Sequence, residues 1–152
     1  MLDFDEAIFA YCTKKKLRYT RYADDIAVSG AAIDLPELRY LVKNQLRKKD
    51  LKIHSGKTRL VRPHQRQKVT GVVVNEGLSP GRDYLRALRQ DLYYIDKYGI
   101  YDHARRSGWS SATACLSNVY GRLTHALFLI GRDEKLEQKK RDLEAVFDEI
   151  CH

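Results

Sequence analysis

At residues 76–81, Glu-Gly-Leu-Ser-Pro-Gly, the chain changes its period. Upstream, apolar residues come in short strand-like runs around one helical stretch. Downstream, they step only by three and four, the spacing of a buried helix face. Clustered Gly and Pro end both kinds of element, so a boundary belongs there. The expectation is an α+β chain in two parts: residues 1–77, a small antiparallel sheet with a helix, and residues 78–152, a helical bundle. At 152 residues, the chain is long enough to bury a real core.

The helical part has three amphipathic stretches. Leu85, Leu88, Leu92 and Ile95 mark the first. Ala112, Leu116, Val119, Leu123, Ala126 and Ile130 mark the second. Leu136, Leu143, Phe147 and Ile150 mark a third, from about Glu134 to Ile150. Three such helices with short links make a bundle. Trp109 and Cys115 are most simply core.

In the first part, residues 5–12 look like the end of a helix. Residues 17–22 and 26–29 read as strands with Ala23-Asp24-Asp25 between them, a tight hairpin. Asp34 and Glu37 stand at capping-box spacing ahead of a helix running to about Lys49. Residues 51–54 suggest a short strand and Ser55-Gly56 a turn. Residues 59–62 and 68–75 suggest a second hairpin with its tip at 63–66.

The net charge is +8, and it is uneven. Residues 1–75 hold 16 Lys/Arg and 8 Asp/Glu; residues 76–152 hold 12 of each. A basic first half suits a polyanionic partner such as nucleic acid, and equally serves solubility. No apolar run approaches the ~18 residues of a membrane span, so no membrane partner is expected. The acidic start lacks the basic region of a signal peptide. Cys12, Cys115 and Cys151 form no C-x-x-C pair, which argues against a disulfide scaffold or structural zinc. The expected location is cytoplasmic. The five histidines, His54, His64, His103, His125 and His152, show no metal spacing and read as structural or exposed.

Tyr22-Ala23-Asp24-Asp25 carries the chemistry. Adjacent carboxylates at a hairpin tip repel each other, and neither favours the positive φ that a two-residue turn requires. A divalent cation would relieve the repulsion; a merely solvated acidic turn is the plainer alternative.

The run Tyr19-Thr20-Arg21-Tyr22-Ala23-Asp24-Asp25-Ile26-Ala27-Val28-Ser29 resembles the palm active-site motif of reverse transcriptases. Ala between Tyr and the Asp pair is the bacterial form, shared by retrons, group II introns and related phage-defence polymerases. Ser55-Gly56-Lys57-Thr58 is similar to the Lys-Thr segment that follows the palm helix. Gln67-Lys68-Val69-Thr70-Gly71-Val72-Val73-Val74-Asn75 is similar to the retron hallmark built on Val-Thr-Gly. The tail, with Gly121-Arg122-Leu123, looks like a retron or intron thumb. The resemblance is specific at residues 22–25 and 69–71 and diffuse elsewhere.

What the resemblance implies is the back half of the palm plus the thumb of a retron-type RNA-directed DNA polymerase. Such enzymes copy a partner noncoding RNA template into DNA from dNTPs, and many act in phage defence. Two magnesium ions, about 4 Å apart, stabilise the attacking and leaving oxygens. Asp24 is then a metal ligand, and Asp25 supports or shares it. Tyr22 and Ala23 lie near the primer end, Tyr22 packing rather than reacting. The family's third metal-binding Asp, its fingers and its nucleotide-pocket segment have no counterpart in these residues, and Asp3 and Asp5 cannot take the third Asp's role. The chain alone is therefore expected to be inactive. A separate chain could supply the rest of the palm and the fingers. A non-catalytic nucleic-acid-binding remnant remains the alternative.

Two basic surfaces fit a nucleic-acid partner. Residues 57–68 carry Lys57, Arg59, Arg62, Arg66 and Lys68 with no acid. Together with Val69, Thr70 and Gly71 they form one candidate interface; basic residues guarding a strand edge would look the same. In the first thumb helix Arg82, Arg86, Arg89, Tyr93 and Lys97 fall on one stripe beside the leucines. Arg86 has Asp83 three residues before it, whereas Arg82 and Arg89 have no acid three or four residues away; unpaired arginines beside an aromatic suit a sugar–phosphate backbone, though a solvated helix face shows the same pattern. In the last helix Glu137–Arg141 and Lys140–Glu144 sit at supporting i,i+4 spacing.

Overall fold

A computed structural model describes residues 1–151. His152 and the side chains of Ser55 and Cys151, about which the sequence raised expectations, lie outside the described residues. The fold is α+β, with two small antiparallel sheets and six α-helices among the described residues. The chain divides into two compact units, Met1–Thr70 and Gly71–His152. Residues 71–77, which the sequence pattern groups with the first part, go with the second unit. There Val73 and Ser79 exchange backbone hydrogen bonds of 2.8 and 3.0 Å.

In the first unit, helix α1 (Leu2–Lys14) leads into strands β1 (Arg18–Tyr22) and β2 (Asp25–Ser29), then helix α2 (Leu35–Arg47). Phe4, Ile8 and Cys12 of α1, Leu17, and Leu38, Val42 and Leu46 of α2 form one core. The α1 and α2 residues recur at helical spacing, so each helix presents one apolar face. Asp34 caps α2, its carboxylate accepting from the Glu37 N–H at 3.0 Å. The second half of the expected capping box does not form. The Glu37 carboxylate instead accepts from the Tyr11 hydroxyl and the Lys15 ammonium, each at 2.9 Å, tying α2 to α1.

Two strand expectations fail here. Residues 51–54 and 59–62 form no strand. Leu60 and Val61 are exposed, so no core holds them extended, and Pro63 removes a donor that a ladder would need. Pro63 to Gln65 do turn, with Arg62 and Gln65 bonded both ways at 2.9 Å, but no strands flank that turn. The second hairpin is shorter and later: β3 (Lys68–Val69) pairs with β4 (Val72–Val73). Its tip is Thr70-Gly71, with φ of 46° and 92°. Two positive φ angles are the signature of a type I′ turn, with Thr where Asn or Asp is usual.

The second unit holds α3 (Arg82–Tyr98), α4 (Ile100–Arg106), α5 (Ala112–Ile130) and α6 (Glu134–Cys151). Three helices were expected. The fourth, α4, arises because Gly99, at φ 77°, ends α3 and starts a new seven-residue helix too short to show a period. Leu88, Leu92, Ile95, Cys115, Leu116, Val119, Leu123, Ala126, Leu136 and Leu143 are buried together. At the end of α5 the interior position is Leu129; Ile130 is 37% exposed. Trp109, expected in the core, is 39% exposed because it sits on the link after Gly108. Lys140 and Glu144 approach to 3.7 Å, whereas Arg141 bonds Gln138 rather than Glu137. Ser111 caps α5 and Asp133 caps α6.

Leu116 and Leu123 are fully buried, so truncating either leaves a cavity. Leu123→Ala is expected to lower stability by about 3 kcal/mol. Urea denaturation followed by circular dichroism measures this; a loss under about 1 kcal/mol would mean the bundle collapses around the gap.

Candidate active-site hairpin and nucleic-acid interface

Strands β1 and β2 pair from Arg18↔Ser29 to Tyr22↔Asp25. Asp25 therefore belongs to the ladder, and the loop is only Ala23-Asp24, one residue shorter than the sequence suggested. Ala23 takes φ 51° and Asp24 does not share the positive sign. A positive first φ followed by a negative second is the pattern of a type II′ turn, where Gly is preferred. An L-residue in that region is strained by about 1 kcal/mol or more.

Cross-strand partners share a face. Tyr22 and Asp25 thus project together from the exposed face, with Asp24 at the tip. All three are exposed, Tyr22 at 75%. Tyr19 and Arg21 lie on the opposite, half-buried face. There they meet Asp5 of α1, a grouping that the sequence pattern does not reveal. Asp5 Oδ1 accepts from the Tyr19 hydroxyl at 2.6 Å and Arg21 Nε at 2.7 Å; Oδ2 accepts from Arg21 Nη2 at 2.7 Å. Arg21 Nη1 donates to the Ala23 carbonyl at 2.7 Å. One guanidinium therefore joins helix α1 to the turn that carries Asp24.

These bonds hold the Asp5 carboxyl down at about 2, chiefly through Arg21 and then Tyr19. Burial, with Asp5 adding, pushes the Tyr19 phenol up to about 12. A depressed carboxyl contributes stability above its unfolded value of 3.8 and loses that contribution as pH falls through about 2. Asp5→Asn should therefore destabilise the chain at pH 6, with the difference shrinking between pH 4 and pH 2. Thermal melts across that range check this; a pH-independent difference would contradict it.

Asp24 and Asp25 offer carboxylate oxygens of the kind magnesium takes. No group of three or more potential metal ligands occurs among the described residues. Asp3 pairs with Lys49 at 3.3 Å and Asp5 is held by Arg21, so neither joins the pair at the tip. The residues present thus fit part of a magnesium site.

Lys57, Arg59, Arg62, Arg66 and Lys68 are all exposed, as are Val69, Thr70 and Gly71. Gly56, Lys57 and Thr58 lie at a 3-10 turn closed by a 3.0 Å bond from the Lys57 N–H to the His54 carbonyl. On α3, Arg82, Arg86, Arg89 and Tyr93 are exposed along one face. The three arginine side chains have no ion pair or hydrogen bond among the described residues. Lys97 Nζ stands 5.5 Å from the Tyr93 ring centre and 5.2 Å from that of Tyr98. Arg122 points inward instead. Its Nη1 meets Asp91 Oδ2 at 2.6 Å, and buried His103 Nε2 lies 3.3 Å from Asp91 Oδ1.

No protein-family model matches the chain, and no solved structure matches it. Curated relatives do. The chain is 32% identical over 111 residues to the retron Ec86 reverse transcriptase of Escherichia coli, covering 70% of this chain. It is 32% identical over 94 residues to the retron Mx65 reverse transcriptase of Myxococcus xanthus, and 29% over 109 residues to the Mx162 enzyme of the same organism. The matched regions span only 22–34% of those relatives' lengths. No helix among the described residues is long and apolar enough to cross a membrane. The expected resemblance is thus borne out: the chain is similar to part of the retron reverse transcriptases.

Proposed function

We infer that the chain supplies the carboxylate hairpin and the thumb of a retron-type RNA-directed DNA polymerase, working with a partner RNA template, a DNA product and dNTPs. The observation that carries this is the Asp24–Asp25 pair on a strained two-residue hairpin, in a chain that resembles retron reverse transcriptases. Asp24 and Asp25 would hold magnesium, which when bound stabilises charge on the attacking and leaving oxygens. Tyr22, on the face of Asp25, would pack beside the primer end. The exposed arginines of α3 would hold backbone phosphates, and the basic 57–68 segment, in the other unit, would do so in its own right. Val69, Thr70 and Gly71 present an exposed turn next to that segment. A further carboxylate and a nucleotide pocket must come from segments outside these residues, on the same or a separate chain. Phage defence is the setting in which such an enzyme would work.

Extension assays with the chain and a segment supplying fingers and the upstream palm strand test the substrate class. The expected product is DNA, made from dNTPs on an RNA template, with little use of ribonucleotides. Equal use of both nucleotide types, or extension that is unchanged when the chain is omitted, would contradict the reading.

A further inference from the structure

We propose that Arg21 is a positioning residue for Asp24 and Asp25, holding the turn between them and Tyr22 in its strained geometry. This rests on reading that pair as the working carboxylates, and adds what keeps them in place.

Ala23 at φ 51° occupies a region that an L-residue leaves unless its surroundings hold it. The ribbon supplies only part of that hold, because an isolated two-stranded hairpin is marginal in water. Arg21 supplies a further part. Its Nη1 donates to the carbonyl of Ala23, the strained residue itself. Its Nε and Nη2 form a fork on Asp5, and Asp5 lies on α1 between buried Phe4 and Ile8. The Tyr19 hydroxyl completes the Asp5 carboxylate at 2.6 Å. The Ala23 carbonyl is thereby referred to a packed helix through a planar group whose donors have a fixed geometry. Paired bidentate bonds of this type fix orientation as well as distance. The arrangement lies on the face opposite Tyr22 and Asp25, so Arg21 acts through the backbone and not on a reacting atom.

A purely structural tie between α1 and β1 would need only the fork on Asp5. The third bond, to Ala23, is what a positioning role adds. The consequence for chemistry is large, since a misplacement on the order of 1 Å can cost about 100-fold in rate.

Nuclear magnetic resonance on the full chain separates the two roles without any activity. A positive φ at Ala23 gives a strong NOE between its own amide and Hα protons. In Arg21→Gln that NOE is expected to weaken and the Asp24 and Asp25 amides to broaden, while cross-strand NOEs such as Tyr19 to Val28 persist. Arg21→Lys, which keeps the charge near Asp5 but lacks the fork, should show the same loss at Ala23. Asp5→Asn should show a smaller one, because the bond from Arg21 to Ala23 remains. If Arg21→Gln loses the cross-strand NOEs, Arg21→Lys decides. Either Arg21 variant with an intact ribbon, a strong Ala23 NOE and sharp Asp24 and Asp25 amides overturns the proposal. Normal extension by an Asp24→Asn, Asp25→Asn enzyme would instead overturn the functional reading, whatever the turn does.

Discussion

Replacing Asp24 and Asp25 together with Asn is expected to reduce primer extension by the completed enzyme on the order of 1,000-fold or more. Losing carboxylate ligands removes several kcal/mol of transition-state charge stabilisation, and each 1.36 kcal/mol is tenfold in rate. The fold should not suffer, because both side chains are exposed at a hairpin tip. Asn also tolerates turn conformations at least as well as Asp. Duplex binding should stay the same or tighten slightly, since two negative charges leave the path of the phosphates. Single-turnover extension at saturating template–primer, with binding measured separately, distinguishes these effects. Normal extension by the double variant would reduce the pair to a solvated acidic turn.

Converting Arg82, Arg86 and Arg89 to Gln should weaken template–primer binding by about tenfold or more at ~0.1 M salt. Each phosphate that is no longer neutralised flattens the log–log salt dependence by roughly 0.7 to 0.9, so the slope should fall by roughly 2. These arginines suit the experiment because their side chains are exposed and unpaired among the described residues. Gln has nearly the helix propensity of Arg, so α3 should persist by circular dichroism. The weakening should be alike across sequences, because backbone phosphates carry no base information. Unchanged affinity and slope would mean that the face is merely solvated.

The features legible from the sequence were those with local signals. The apolar faces of α3, α5 and α6 follow from spacing within each helix, and the burial of Leu88, Leu92, Leu116 and Leu123 matches. The first hairpin was legible because two short apolar runs flank a polar tip. Its loop reads one residue too long, because Ala23 gives no hint of the positive φ it adopts. The second hairpin is misplaced for a related reason. Leu60 and Val61 look like strand residues, and only tertiary burial, which they lack, could have made them so. Thr70-Gly71 is a weaker turn signal than Pro63-His64, yet it is where the chain pairs.

Long-range polar pairings leave no trace in the pattern. Asp5 and Arg21 stand 16 residues apart on a helix and a strand. Nothing periodic links them, and the acid looks like one more exposed charge near the start. The Asp91–Arg122–His103 group is similar: Arg122 reads as part of a motif, whereas it turns inward to Asp91. Glu37 shows the limit of local rules in the other direction. Its capping position is right, but Tyr11 and Lys15 from α1 compete for its carboxylate and win.

We propose that this chain supplies Asp24 and Asp25 as working carboxylates to a reverse transcriptase whose remaining active-site groups lie in other segments. Primer extension on an RNA template with magnesium and dNTPs tests it most directly. It should be run with the chain alone and with a segment supplying fingers and the upstream palm strand. No extension is expected from the chain alone, and DNA synthesis is expected when both parts are present. Robust synthesis by the chain alone would contradict it.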